Sequence, residues 1–307
     1  MTCHVVLYNG ACCLLEPRFN AKKSLKNIIK HKCTIVAGVP TFFEGLLSAG
    51  EDKHQDLSSL KSVFCGGDVL SEDLENRINS YLSFSNSNLK VRVGYGLSES
   101  VAAVTINPDA NKKGSSGLPL PGTSIKICIP GTRDELESGS IGEICVCSPT
   151  TMKGYFNNIE ENDQALQKHA DGKLWLHTGD LGYVDEDGYL YFVQRLKRMI
   201  VTSGYNVYPS QLEKIIDSHK IVDSCCVIGI PDSYKGQKVK AFVVLKDGNS
   251  QSDDKKRLLL DYIKKHVAKY SVPYEIEFRD ELPKTIIGKV DYLALENEEL
   301  GKTSQND

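Results

Sequence analysis

Three patterns predict an α/β protein built in three successive parts. Short β-like runs alternate with helical ones over residues 1–113, Gly/Pro turns punctuate short strands over 114–196, and helices mix with longer strands over 197–307. Alternating strand and helix builds βαβ units, here a partial parallel-sheet subdomain. Closely spaced strands with Asp-Gly and Gly/Pro turns build a small antiparallel barrel or curled sheet. The last part is expected to be an α+β domain.

Each element follows from its residues. In the first part HVVLY, CTIVAGVP, SVFCGG and KVRVGYG are expected strands, separated by helices over AKKSLKNIIKHK, TFFEGLLSAG and SEDLENRINSYL. Open parallel sheets bind ligands at the carboxyl ends of their strands. The loops Cys65-Gly66-Gly67-Asp68 and Gly94-Tyr95-Gly96-Leu97-Ser98-Glu99 each follow such a strand, so chemistry is sought there first. The second part supplies GLPLPGTSIKICIPG, GSIGEICVCSP, KLWLHTGDLGYV and DEDGYLYFVQR, with Trp175 as a core residue. In the third, a helix starts at Pro209, since proline suits a first turn. Strands over VDSCCVIGI and VKAFVVLKD, a charged helix over DDKKRLLLDYIKKHVAKY and the loop LPKTIIGKVD complete it. Lys22, Lys23, Lys26, Lys30 and Lys32 fit a solvated helix face better than a binding patch.

Composition bounds the function. At about 150 residues per domain, 307 residues make roughly two compact units. Thirty-seven Lys+Arg against 40 Asp+Glu leave a net charge of −3, which gives no signal for nucleic acid or an anionic membrane. The 10 cysteines lie partly inside apolar strands (Cys145, Cys147, Cys225, Cys226), with no CxxC pair and no His/Cys spacing of a zinc finger. They are read as reduced core thiols of a cytoplasmic protein. The first Lys or Arg is Arg18, so no signal peptide is predicted, and no apolar run reaches the 18 residues of a transmembrane segment.

Taken in order, GYGLSES, GSSGLPLPG, GEICV, LHTGDLGYVDEDGYLYFVQRLKRMIVTSGYNVYPSQLE and LPKTIIGKVD closely resemble the core motifs of the adenylate-forming, AMP-binding enzyme superfamily. The resemblance runs from near residue 5 to about 295 and leans toward fatty acyl-CoA ligases through Asn206-Val207-Tyr208-Pro209 and a lysine at the hinge. It implies a mobile C-terminal domain and activation of a carboxylic acid, of fatty type, by ATP and Mg²⁺. An acyl-adenylate forms, and coenzyme A then displaces AMP.

The same resemblance assigns residues. Tyr95 and Gly96 would line the nucleotide, Ser98 would meet a phosphoryl oxygen, and Glu99 would act in catalysis as the Mg²⁺ ligand. Magnesium is usually held by one or two carboxylates plus phosphates. Read without the family, Ser98 and Glu99 are an ordinary helix start. Gly66 and Gly67 resemble the adenine- and acyl-lining turn, although a tight turn explains them as well. Asp180 matches the ribose-binding carboxylate and Arg195 a second ribose contact, with Gln194 where relatives carry glycine. Lys197 falls on the hinge, and Arg198 stands where relatives often have an acid. Ser203 and Gly204 match the turn that lines the coenzyme A tunnel. Lys289 matches the late catalytic lysine, whose ammonium would offset the charge that develops as two anions meet. Lys284 is expected to be solvated.

The family's phosphate loop, a Ser/Thr/Gly-rich stretch ending in Pro-Lys, is not found; KKGSSGLPLPG at 112–122 matches the later motif instead. The chain thus resembles the C-terminal portion of a synthetase, a truncated or split form whose N-terminal half is either lost or carried on a separate chain, and an exposed sheet edge is expected. Two alternatives remain: a catalytically incomplete nucleotide- or partner-binding fragment, and an adenylating enzyme that loads a carrier protein.

Overall fold

The computed structural model describes residues 6–16, 18–50, 54–246, 250–285 and 290–303. The chain divides into two compact units, Met1–Phe192 and Val193–Asp307.

The first unit opens differently from expectation. Val6–Tyr8 make a helical turn, closed by Gly10 N–H to Leu7 O and Ala11 N–H to Val6 O, where HVVLY reads as a strand. So short an apolar run has no period to separate helix from strand, and local hydrogen bonds decide. Helix α1 (Ala21–Lys30) starts at Asn20, whose side chain accepts from Lys23 N–H, and buries Ser24, Leu25 and Ile28 while its lysines face water. Then β1 (Ile35–Gly38), α2 (Pro40–Gly50), β2 (Ser62–Cys65), α3 (Glu72–Phe84) and β3 (Val91–Leu97) follow as βαβ units. The three strands are parallel, with Val36 opposite Val63 and Phe64 opposite Arg92. Leu25, Phe43, Leu47, Val63, Ile78 and Val91 form their core. The other edge of β1 carries no strand among the described residues, and Ile35 there is exposed.

After β3 the chain makes a 3₁₀ turn over Ser98–Ser100 and reverses through Val101, at φ 54°. It returns as β4 (Ala102–Ile106), antiparallel to β3, and β4 pairs with β5 (Leu118–Pro119). β4 is not foreseen from the sequence, whereas β5 falls inside GLPLPGTSIKICIPG, where short strands are expected. A second, antiparallel sheet contains β6 (Ser124–Cys128), β7 (Gly142–Cys147), β8 (Leu166–Lys168), β9 (Leu174–Val184) and β10 (Leu190–Arg195), with the short helix α4 (Ile159–Ala165) leading into β8. Its order is β10-β9-β7-β6, with β8 on β9, so the sheet is open and does not close into a barrel. Trp175 is fully packed among Cys128 and Cys145.

The second unit is an α+β domain. A two-residue hairpin joins β11 (Ile200–Thr202) to β12 (Tyr205–Val207), and α5 (Pro209–Asp217) begins at its proline. The long hairpin of β13 (Val222–Asp232) and β14 (Gly236–Leu245) carries the sheet. Helix α6 (Asp253–Lys264) covers it, β15 (Glu275–Arg279) adds parallel to β14, and α7 (Tyr292–Thr303) packs on β13. Ile200, Leu212, Ile216, Val243, Leu259 and Ile263 are the core. Among the described residues no helix is long and apolar enough to cross a membrane.

Candidate functional site

Two bulged strands bring the first unit's polar residues together. Along β7 and β9, Cys145 pairs with His177 and Glu143 with Leu181, so three residues of β9 stand against one of β7. Thr178, Gly179 and Asp180 are therefore thrown out of the ladder. Gly179 takes φ +66°, a left-handed conformation that glycine adopts without steric cost. The bulge is pinned at each residue. Thr178 Oγ1 donates to Ile144 O at 2.7 Å, Gly179 N–H donates to Glu143 Oε1 at 3.0 Å, and Asp180 N–H donates to Thr178 Oγ1 at 3.1 Å. Bulges of this kind re-aim side chains.

Strand β3 meets it with an irregularity of its own. The β3–β4 register slips between Tyr95 and Gly96, and at Gly94 a Cβ would stand 2.7 Å from Thr105 O, so only glycine fits beside β4. From this strand the Tyr95 hydroxyl donates to Asp180 Oδ2 at 2.7 Å, across 85 residues of sequence. Both groups are buried, Asp180 at 1% exposure. The Tyr95 ring lies nearly parallel to that of Phe192, with centroids 6.1 Å apart. A buried carboxylate demands such partners, because leaving it unmatched costs several kcal/mol.

The other predicted residues of this unit lie on β3 and directly after β2 and β3. Gly96 and Ser98 are exposed, and Glu99 is half-buried. Glu99 Oε1 accepts from the Tyr155 hydroxyl at 2.9 Å, while its carbonyl accepts from Met152 N–H at 2.7 Å. Gly66 donates its N–H to Gly38 O at the end of β1, and Gly67 takes φ +77°. Asp68 is exposed and accepts from Val69 N–H. Sequence reasoning missed Glu143, Thr178 and Tyr155. Glu143 stood inside the GEICV motif without an assignment; the Thr178 partner follows only from the β7–β9 register, and Tyr155 reaches Glu99 from a loop 56 residues on.

In the second unit the predicted residues lie on exposed turns. Arg195 ends β10 and Lys197 sits in the 3₁₀ turn Leu196–Arg198, both exposed. Gln194 is buried and useful. Its Oε1 accepts from both Ser210 N–H and Ser210 Oγ at 3.3 Å, matching an otherwise unpaired amide in the first turn of α5. Arg198 finds its acid in Glu213, at 2.5 Å, and lies over the Tyr292 ring. Burial alone would lower the pKa of its guanidinium, but Glu213 holds it above the ordinary value. Ser203 (φ 50°) and Gly204 (φ 81°) form the hairpin turn between Thr202 and Tyr205, as a primed turn requires. Both are exposed. Lys284 is exposed as expected, and Lys289 lies outside the described residues.

Comparison with known proteins gives these motifs a family. The model of the AMP-binding enzyme family matches residues 1–156, and that of the AMP-binding enzyme C-terminal domain matches residues 211–289. The chain belongs to the AMP-binding enzyme family. It is 40% identical over 279 residues to a long-chain-fatty-acid–CoA ligase of Bacillus subtilis, covering 90% of this chain and 48% of that protein. It is 34% identical over 293 residues to a feruloyl-CoA synthase of Amycolatopsis, covering 94% and 57%. Among solved structures it resembles ATP-bound MatB from Rhodopseudomonas palustris (TM-score 0.82, 29% identity, 97% of this chain and 56% of that one). It also resembles the o-succinylbenzoate CoA synthetase MenE of Bacillus subtilis in complex with its acyl-adenylate (TM-score 0.79, 30% identity, 96% and 57%). The chain spans about half the length of the curated relatives it matches.

Proposed function

We propose that the chain carries the nucleotide- and thiol-handling part of an AMP-forming acid–thiol ligase. In this reading it activates a carboxylic acid of fatty type with ATP and transfers the acyl group from the adenylate to coenzyme A. The observation that carries it is the 2.7 Å bond between Tyr95 and Asp180, which joins two separate motifs in one buried place. The names of the relatives add the substrate class: the 40%-identical protein is a long-chain-fatty-acid–CoA ligase, and the MenE structure holds an acyl-adenylate.

The roles follow the chemistry of each group. Asp180 accepts hydrogen bonds from the ribose hydroxyls while Tyr95 orients the carboxylate. Gly66, Gly67 and Gly96 let the backbone approach the adenine and acyl groups closely, and Ser98 donates to a phosphoryl oxygen. Glu99 is half-buried with one oxygen on Tyr155, and this single carboxylate beside a phosphate position fits the sparse protein ligation of Mg²⁺. When bound, that ion supplies positive charge to the phosphates. Arg195 adds a ribose contact, Lys197 is the hinge, and Ser203 and Gly204 present backbone to the thiol substrate. Lys289 supplies the ammonium that stabilises the developing charge in adenylation. Free thiols throughout the described cysteines suit the reducing cytoplasm.

The test is AMP binding by calorimetry together with ATP–pyrophosphate exchange. Exchange is measured with the chain alone and again with a phosphate-loop segment of a relative added in trans. Saturable AMP binding that weakens in Asp180→Ala supports the reading. A wild-type chain that binds neither AMP nor an acyl-adenylate overturns it.

A further inference from the structure

Behind the Asp180 bulge lies a buried cluster that the function above does not use. Cys145 on β7 and His177 on β9 are direct cross-strand partners, and His169 follows β8 in a turn fixed by its own N–H to Lys173 O. His169 Nε2 and His177 Nε2 are 3.0 Å apart, and Cys145 Sγ is 3.5 Å from His177 Nδ1. One ligand atom from each of the three lies within 4.8 Å of the others, and all three residues are buried. The sequence intervals between them match no finger motif; the β7–β9 register and the return from β8 assemble the group.

We propose that Cys145, His169 and His177 form a binding site for one zinc ion, with Glu143 as its outer carboxylate. One thiolate and two imidazoles are a donor set for zinc and a poor one for magnesium or calcium. Two nitrogens bound at about 2.05 Å around a tetrahedral ion stand roughly 3.3 Å apart, close to the spacing found here. His177 Nδ1–H donates to Glu143 Oε2 at 3.0 Å, which turns the lone pair of His177 Nε2 toward His169. A carboxylate holding the far nitrogen of a ligating histidine is the usual outer partner of zinc. The two Nε2 atoms face each other, so without an ion one must carry a proton between them; an ion takes that place. Trp175 lies against the His169 ring, centroids 5.5 Å apart, and makes one dry wall.

Charge balance favours occupancy. Zn²⁺, the Cys145 thiolate and the Glu143 carboxylate sum to zero, which removes the cost of a lone buried anion. Because zinc binds the thiolate, the ion displaces a proton from Sγ on binding. The site is joined to the nucleotide carboxylate, because the second oxygen of Glu143 accepts from Gly179 N–H in the bulge. Its residues would position Asp180 without touching a substrate.

Metal uptake tests this without any substrate, and so independently of the proposed ligase activity. The full chain is refolded with cobalt or with zinc, and bound metal is counted by mass spectrometry. One ion per chain is expected, with the visible bands of tetrahedral cobalt and a thiolate-to-cobalt charge-transfer band that zinc bleaches. Cys145→Ser should remove the charge-transfer band and weaken zinc binding more than about 100-fold. Glu143→Gln should keep the band and weaken binding about 10–100-fold. Cys147→Ser should match wild type. If Cys145→Ser does not fold, the wild-type and Cys147→Ser spectra decide: the band in both supports the site, and its absence from either overturns it. A folded wild type that takes up no ion, a six-coordinate cobalt spectrum, or folded Cys145→Ser that binds as wild type does, overturns it too.

Discussion

The bulge on β9 and the hairpin turn between β11 and β12 use the same backbone device to opposite ends. Each places a glycine in the left-handed region, Gly179 at φ +66° and Gly204 at φ +81°, next to a hydroxyl residue, Thr178 or Ser203. In the first unit the displaced segment is tied down by Glu143, Thr178 and Ile144 and delivers a buried carboxylate to Tyr95. In the second the turn stands exposed, with open space around the Gly204 position. A buried bulge fixes a side chain before any ligand arrives; an exposed turn offers only backbone. Rigidity in the second unit must therefore come from elsewhere, and the buried lysine on β14 supplies part of it.

Lys240 is 3% exposed and meets Glu277 and Glu299, each at 2.8 Å. Removing one partner of a buried ion pair costs about 3–5 kcal/mol, so Lys240→Ala should lower the second unit's unfolding free energy by that much in urea. The loss should leave the first unit's transition unmoved. Burial works to lower the pKa of this ammonium, but the hydrogen bonds to Glu277 and Glu299 win and hold it above its ordinary value. A raised native pKa means stabilisation that is complete below about 10.4 and lost as pH climbs through the native value. Base titration should therefore show an alkaline unfolding step that Lys240→Ala lacks. A loss below about 1 kcal/mol in urea would mean that the glutamates do not depend on this cation.

The next effect belongs to the buried end of the comparison. Charge-assisted hydrogen bonds contribute about 1.5–3 kcal/mol each, so Asp180→Ala should weaken AMP binding by roughly 10- to 150-fold in calorimetry. Unchanged affinity would remove Asp180 from the ribose.

How much of this was legible depends on what kind of signal each residue leaves. Asp180, Tyr95, Ser203 and Gly204 sit in short motifs whose glycines mark places where backbone departs from the ladder, and such marks survive in one dimension. The helices of the first unit were legible too, because Leu25 and Ile28 recur at helical spacing while the lysines fall between them. The return strand β4 was not: AAVTI follows a 3₁₀ turn whose left-handed residue is Val101, a β-branched side chain that nothing local would place there. Val6–Tyr8 failed for the converse reason, a strand-like composition whose carbonyls at Val6 and Leu7 were met locally. The Cys145–His169–His177 cluster is the deepest omission. Its members come together only through the pairing of β7, β8 and β9, and no spacing rule reads a register.

A smaller effect separates the hydroxyl of Tyr95 from its ring. Tyr95→Phe keeps the packing on Phe192 and deletes only the donor to a buried carboxylate. It should destabilise the first unit by about 1–3 kcal/mol at neutral pH. A cost below about half a kcal/mol would show that the carboxylate does not depend on the phenol.

The mildest pair of variants compares the two glycines directly. Beyond its two chain neighbours, neither Gly179 nor Gly204 has an atom within 4 Å of the point where a Cβ would stand, so alanine meets no clash with the rest of the fold. Its cost is that of a left-handed backbone alone, about 1–2 kcal/mol. Thermal melts should show that same loss in each unit. AMP affinity should not agree: Gly179→Ala shifts the segment that aims Asp180 and weakens binding several-fold, whereas Gly204→Ala leaves it unchanged. Equal affinities in the two variants would mean that the bulge carries no more of the nucleotide site than the exposed turn does, and the contrast between the two devices would fail at its one functional point.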